Sequence, residues 1–161
     1  FDPDVIYNRI EYLASGLECR VIFLDHLSIL LSGLDGDERR MIDSTMTRLR
    51  SLVERTGITL FLVSHLRRSN SDSNAHEEGG RVSLGQLRGS HSISQISDCV
   101  IALERDQQSE DNNNTTTIRV LKNRYSGEVG IATRLKYDLS TCKFYETETN
   151  TEPEFDATVD F

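Results

Sequence analysis

An aspartate, Asp25, closes the apolar run Val21, Ile22, Phe23 and Leu24. Such a run reads as a strand buried on both faces, as in parallel sheets. Open α/β sheets bind ligands at the carboxyl ends of their strands. A carboxylate there suits a magnesium ion beside phosphate, held directly or through water. A second apolar run, residues 58–65, ends in His65, with Arg67 and Arg68 directly after it. Imidazole can donate a hydrogen bond to a phosphate oxygen. Lys122 and Arg124 stand two apart in "TIRVLKNR", a spacing that sets both on one face of a strand. A planar, permanently charged guanidinium suits the charge that spreads over a transferring phosphoryl group. Each residue also has a plainer reading. Asp25 is then a turn acceptor, His65 a satisfied strand-end group, and the two cations a face pairing with acids.

Phosphoryl chemistry needs a cradle, which reads G-x-x-x-x-G-K-[ST] between a strand and a helix. None of the ten glycines is followed by lysine. Either Asp25 is only a strand-end carboxylate, or the chain is the C-terminal part of a nucleotide-binding domain whose phosphate loop precedes Phe1. "HEEGG", residues 76–80, lacks the second histidine of a zinc helix and sits in a loop, which excludes a metalloprotease. Cys19, Cys99 and Cys142 have no metal spacing and lie beside apolar runs. They read as reduced, buried thiols of a cytoplasmic protein.

The elements that must position these residues alternate. Asp2-Pro3 starts a helix that keeps Ile6, Ile10 and Leu13 on one side until Gly16. Asp37 caps a second helix with the stripe Ile42, Met46, Leu49 and Val53, ended by Gly57. "RRSNSDSNAHEEGG" is a polar loop, and "LRGSHSISQIS" carries a loop into a short helix. "DCVIALER" and "TIRVLKNR" are strands joined by a hairpin-like turn, and "IATRLKYD" and "CKFYET" form a closing antiparallel pair. The order predicts an α/β fold with a mostly parallel sheet, flanking helices and a C-terminal antiparallel extension. One domain over residues 1–145 and an acidic, disordered tail over residues 146–161 complete the expected organisation.

The formal charge is −8, but six acids and no base lie in residues 146–161. Without them the body is nearly neutral, at −2. It carries clustered arginines, among them Arg39, Arg40, Arg67, Arg68, Arg81 and Arg88, so binding to a phosphate backbone is not excluded. No apolar run reaches the ~18 residues that span a membrane, and "FDPDVIYNRI" does not read as a secretory leader.

"VIFLDHLSIL", "FLVSHLRR", "LRGSHSISQISDCVIALER" and "LKNRYSGEVG" occur together in this order. In that respect the chain resembles the RecA-like hexameric replicative helicases of the DnaB-like group. The resemblance is nearest to the helicase half of the primase–helicases of short-tailed phages and runs from about Asp2 to the last residue. It implies a RecA-like fold and hydrolysis of ATP or dTTP with Mg2+. It also implies a homo-hexamer with sites between subunits, translocation on single-stranded DNA, and no membrane. By the same resemblance Asp25 is the Walker B aspartate, contacting Mg2+ through water. His65 is the γ-phosphate sensor, and Gln95 couples phosphate state to the DNA loop. Arg105 and Tyr137 sandwich the nucleotide base, a stacking and cation–π arrangement indifferent to base identity. Arg124 becomes an arginine finger entering the neighbouring subunit's site, accompanied by Lys122. Arg67, Arg68, Arg88, Gly89 and Ser90 match loops facing the DNA channel, where cations and closely approaching backbone suit a single strand. The tail with terminal Phe161 implies docking on the replicative DNA polymerase. Two departures stand out. "SNSDSNA" replaces a lysine-bearing loop, and Ser94 stands where the family often has a base. A rival reading, a non-hydrolysing RecA-like module or split subunit that binds DNA or a partner, rests on the missing phosphate loop.

Overall fold

The computed structural model describes residues 3–31, 36–66, 79–87, 91–110 and 112–147. They fall into two compact units, Phe1–Arg67 with Gly85–Ser97 and Arg68–Leu84 with Asp98–Phe161.

In the first unit Pro3 opens helix α1 (Pro3–Ser15), a position where a missing N–H costs nothing. The helix stops at Gly16, whose N–H donates to the Tyr12 carbonyl at 2.8 Å. A Cβ at Gly16 would lie 2.9 Å from that oxygen, so no side chain fits. Strand β1 (Val21–Leu24) leads into the short helix α2 (Leu27–Leu31). Helix α3 (Glu38–Thr56) is capped by Asp37, whose carboxylate accepts the Arg39 N–H at 2.9 Å. It ends at Gly57 in the left-handed region, φ 70°. Its buried stripe is Ile42, Thr45, Met46, Leu49 and Leu52. Leu52 thus takes the core place expected of Val53, which is only half-buried. Tyr7 and Ile10 of α1 and Leu27, Leu30 and Leu31 of α2 are also buried.

Strand β2 (Thr59–Leu62) pairs parallel with β1, from Val21 opposite Thr59 to Leu24 opposite Leu62. Only one face of this pair is covered. Ile22 is buried, whereas Phe23 is 71% exposed and Val21, Phe61 and Val63 are also open. The Phe23 and Phe61 rings stack at 4.6 Å. The expectation of strands buried on both faces therefore fails here. Alternation sends every second side chain to a face that no described residue covers. Helix α4 (His91–Ile96) is seated by buried Ile93 and by Ser92 Oγ, which donates to Asp43 Oδ1 of α3 at 2.5 Å.

The second unit is an antiparallel sheet in the order β3 (Cys99–Arg105), β4 (Thr115–Asn123), β5 (Gly130–Asp138) and β6 (Lys143–Glu146). The parallel part of the described fold is thus two strands, and the antiparallel part is the larger. A connection of the length between β3 and β4 makes a hairpin and leaves no room for a crossover helix. Along β3, Ala102 and Glu104 are buried while Ile101, Leu103 and Arg105 face out. Cys99 and Cys142 are exposed and Cys19 half-buried, all three as free thiols. The expected burial is wrong because Cys99 takes an outward position of β3 and Cys142 lies in the β5–β6 turn. Glu146, first of the six tail acids, is still in β6. No helix among the described residues is long and apolar enough to cross a membrane.

Candidate functional site

Parallel pairing brings the ends of β1 and β2 together. The ladder runs past both strands: the Val63 N–H donates to the Leu24 carbonyl at 3.0 Å, and the Leu27 N–H to the Val63 carbonyl at 2.9 Å. Asp25 and His65, both exposed, therefore stand at the same end of the sheet. Beside them is His26, which sequence reading left without a role. The Asp25–His26 peptide is cis. The His26 ring meets His65 edge-on, with centroids 4.4 Å apart and planes at 90°. Its Nδ1 is buried with no hydrogen-bond partner among the described residues. The register was the available signal: carrying it two residues beyond Leu24 and Leu62 sets His26 beside Ser64, next to His65.

Among the described residues no group of three or more His, Cys, Asp or Glu side chains is placed to hold a metal. Asp25 therefore fits Mg2+ as a lone contact through water, the remaining ligands being water and phosphate oxygens.

Gln95 lies on the exposed side of α4, the helix fixed through Ile93 and the Ser92–Asp43 bond. Arg67, Arg68, Arg88, Gly89 and Ser90 lie outside the described residues, as does Phe161. Their immediate neighbours are informative. Leu66, directly before Arg67, and Leu87, directly before Arg88, form an antiparallel bridge. The two candidate loops thus depart from one point of the fold.

In the second unit, Arg105 pairs with Thr116 and Thr116 with Leu135, two residues before Tyr137. Arg105 and Tyr137 are so brought to one end of one sheet. Arg105 Nε donates to the Asn113 carbonyl at 2.5 Å, and the Tyr137 N–H donates to the neighbouring Asn114 carbonyl at 2.8 Å. The Tyr137 ring packs on Phe144 at 5.0 Å. A hydrogen bond with Cys142, then burial and the Asp138 charge, hold the Tyr137 phenol above its usual value. An open depression of about 660 Å³ adjoins it, walled by Asn114, Lys136, Tyr137, Asp138 and Tyr145 among others. Arg105 is not part of that wall.

The expected sharing of one strand face by Lys122 and Arg124 is corrected. Strand β4 ends at Asn123, and Arg124 lies in the following turn, where Asn123 Oδ1 accepts the Tyr125 N–H at 3.1 Å. Period-two alternation does not reach it. The β3–β4 register also shifts between Val100 and Ile101, opposite Lys122. Arg124 is held by Asp98 twice: Nη1 lies 3.0 Å from Oδ1, and the Arg124 N–H donates to the Asp98 carbonyl at 2.8 Å. Asp98 is a second residue that sequence reasoning left off the site.

The model of the DnaB-like helicase C-terminal domain matches residues 3–146, and the chain belongs to that family. Over 141 residues, 87% of this chain, it is 43% identical to the DNA helicase/primase of Enterobacteria phage T3. It spans 25% of that protein's length. Among solved structures it is similar to the ATPase domain of a DnaB-like helicase, at 20% identity and a TM-score of 0.68, over 91% of this chain and 52% of that one. It is also similar to a DnaB-like replicative helicase whose structure was described with its interactions with primase. There the identity is 18% and the TM-score 0.68, over 89% of this chain and 34% of that one. The fold is theirs, and the resemblance read from the four motifs holds.

Proposed function

We propose that this chain is the C-terminal part of an NTP-driven, hexameric DNA helicase that moves on single-stranded DNA and unwinds duplex during replication in the cytoplasm. One observation carries the reading. In a chain of the DnaB-like family, the parallel β1–β2 pair sets Asp25 and His65 side by side, and the Leu66–Leu87 bridge follows at once. Bound Mg2+ would neutralise charge on ATP or dTTP. Asp25 orients water on that ion, and His65 donates to the γ-phosphate. Gln95 passes the phosphate state toward the DNA loops. Arg67, Arg68, Arg88, Gly89 and Ser90 follow the strand's phosphates. Arg105 and Tyr137 flank the nucleotide base, and Lys122 and Arg124 serve the neighbouring subunit's site. The acidic end with Phe161 docks on the replicative polymerase.

The open apolar face of β1 and β2 supports this reading. The chain covers only 52% of the solved ATPase-domain chain it resembles, so a complete domain has further polypeptide to lay over Phe23 and Phe61. The absent phosphate-loop motif favours the second reading, a non-hydrolysing module, only if the complete protein also lacks it.

The test is NTP hydrolysis by the complete protein, with and without single-stranded DNA, for wild type and Asp25→Asn. DNA-stimulated turnover that falls to background in the variant is expected. A variant that hydrolyses at the wild-type rate removes Asp25 from the site. A complete protein that binds DNA without turnover establishes the non-hydrolysing module.

A further inference from the structure

Glu104 is 8% exposed, yet it is an acid in mid-strand. Burying a carboxylate is costly unless it is paired and hydrogen-bonded. Here it accepts three bonds. Arg119 gives two in a fork, Nε to Oε1 at 2.8 Å and Nη2 to Oε2 at 3.0 Å. The third comes from the backbone N–H of Val82, 2.8 Å from Oε1. Val82 belongs to the segment that returns from the polar loop to the fold and is itself buried. Three residues earlier the same segment touches β3's end again. Gly79 has φ +75°, and a Cβ there would come 3.0 Å from Asp106 Cβ. The stretch is thus tied at Gly79 and at Val82, and Arg81 stands between the ties.

Arg81 is exposed and takes part in no hydrogen bond or ion pair among the described residues. The acids nearest in the fold are already engaged. Glu104 is neutralised by Arg119, and Asp106 Oδ1 accepts the Gln108 and Ser109 N–H groups at 2.9 and 3.0 Å. In a chain of net charge −8, a rigidly mounted arginine without a partner is a cation kept for an external anion. Sequence reading gave it no role.

We propose that Arg81 is a further phosphate contact for single-stranded DNA and that Glu104, locked by Arg119, is the positioning residue that presents it. The inference rests on the helicase reading. It adds a cation downstream of the segment "SNSDSNA", which has none.

The experiment is binding of oligo-dT to the complete protein across a salt series, beside nucleotide KM. Each phosphate neutralised on a single strand contributes a slope of about −0.7 to log affinity against log salt. Arg81→Ala is expected to flatten the slope by about 0.7 for every Arg81 that touches the strand, with KM unchanged. Arg9→Ala, another exposed arginine, should not alter the slope. Glu104→Gln and Gly79→Ala, which loosen the two ties separately, should each weaken DNA binding. Neither should weaken it further when added to Arg81→Ala. An unchanged slope in Arg81→Ala, or a raised KM with DNA binding intact, overturns the phosphate contact. Losses that add to that of Arg81→Ala overturn the positioning role. If the wild type shows no salt-dependent DNA binding, the helicase reading itself falls. Salt-dependent binding indifferent to Arg81 leaves that reading standing and ends this one.

Discussion

Arg124 shows how far a residue's role depends on its partner. A half-exposed arginine paired with Asp98 gains little stability from the pair, on the order of 0–1 kcal/mol. Asp98 can therefore release it to a stronger anion. If Arg124 acts across a subunit interface, Arg124→Ala in the complete protein should lower hydrolysis by ~10³ to 10⁵, with assembly and nucleotide binding largely kept. Mixing it with subunits defective in the phosphate loop should restore some activity, because each kind of ring member supplies what its neighbour lacks. Normal turnover by rings made only of the variant would remove Arg124 from the chemistry. The neighbouring case, His26, is positional. Its edge-on contact is with His65, so the ring that faces the phosphate is held by one that does not.

At the scale of elements, punctuation was readable and burial was not. Pro3 and Gly16 bound α1, and Asp37 and Gly57 bound α3, because caps and left-handed stops are local chemistry. The apolar runs gave β1 and β2, and Asp25 followed from its place after one of them. The exposure of Phe23 was not legible, since it depends on what lies across the sheet. The tie between Arg124 and Asp98 was also hidden, because it needs the β3–β4 register. Register likewise pairs Glu104 with Arg119, 15 residues away. One turn offers a direct test. Asp138 accepts the Ser140 hydroxyl at 2.7 Å and the Ser140 N–H at 2.8 Å, and these bonds hold its carboxyl below the usual value. A depressed pKa stabilises the fold above the unfolded value and loses that stabilisation as pH falls through the folded one. Amide protection across β5–β6 should therefore drop between about pH 5 and pH 3. Asp138→Asn keeps an acceptor without titrating and should flatten that component. Hydrogen exchange with the same pH course in both proteins would show that the turn does not depend on this charge.

For the whole molecule, the stacked Phe23 and Phe61 have a consequence for how the polypeptide is made. Two parallel strands with an open aromatic face, and no third strand paired to them among the described residues, offer a template to any other extended chain. During synthesis, or after splitting the gene, every moment in which that face waits uncovered is a moment in which self-association competes with folding. Produced alone, the chain should bind a hydrophobic dye, tend to aggregate and hydrolyse no nucleotide. Co-production with the remainder of the ATPase domain should suppress both dye binding and aggregation. Phe23→Glu should improve the solubility of the lone chain and abolish rescue by the missing half. A lone chain that stays monodisperse and dye-negative would mean the face closes on itself. The aromatic pair would otherwise act as a proofreading surface, tolerated only once its complement has arrived.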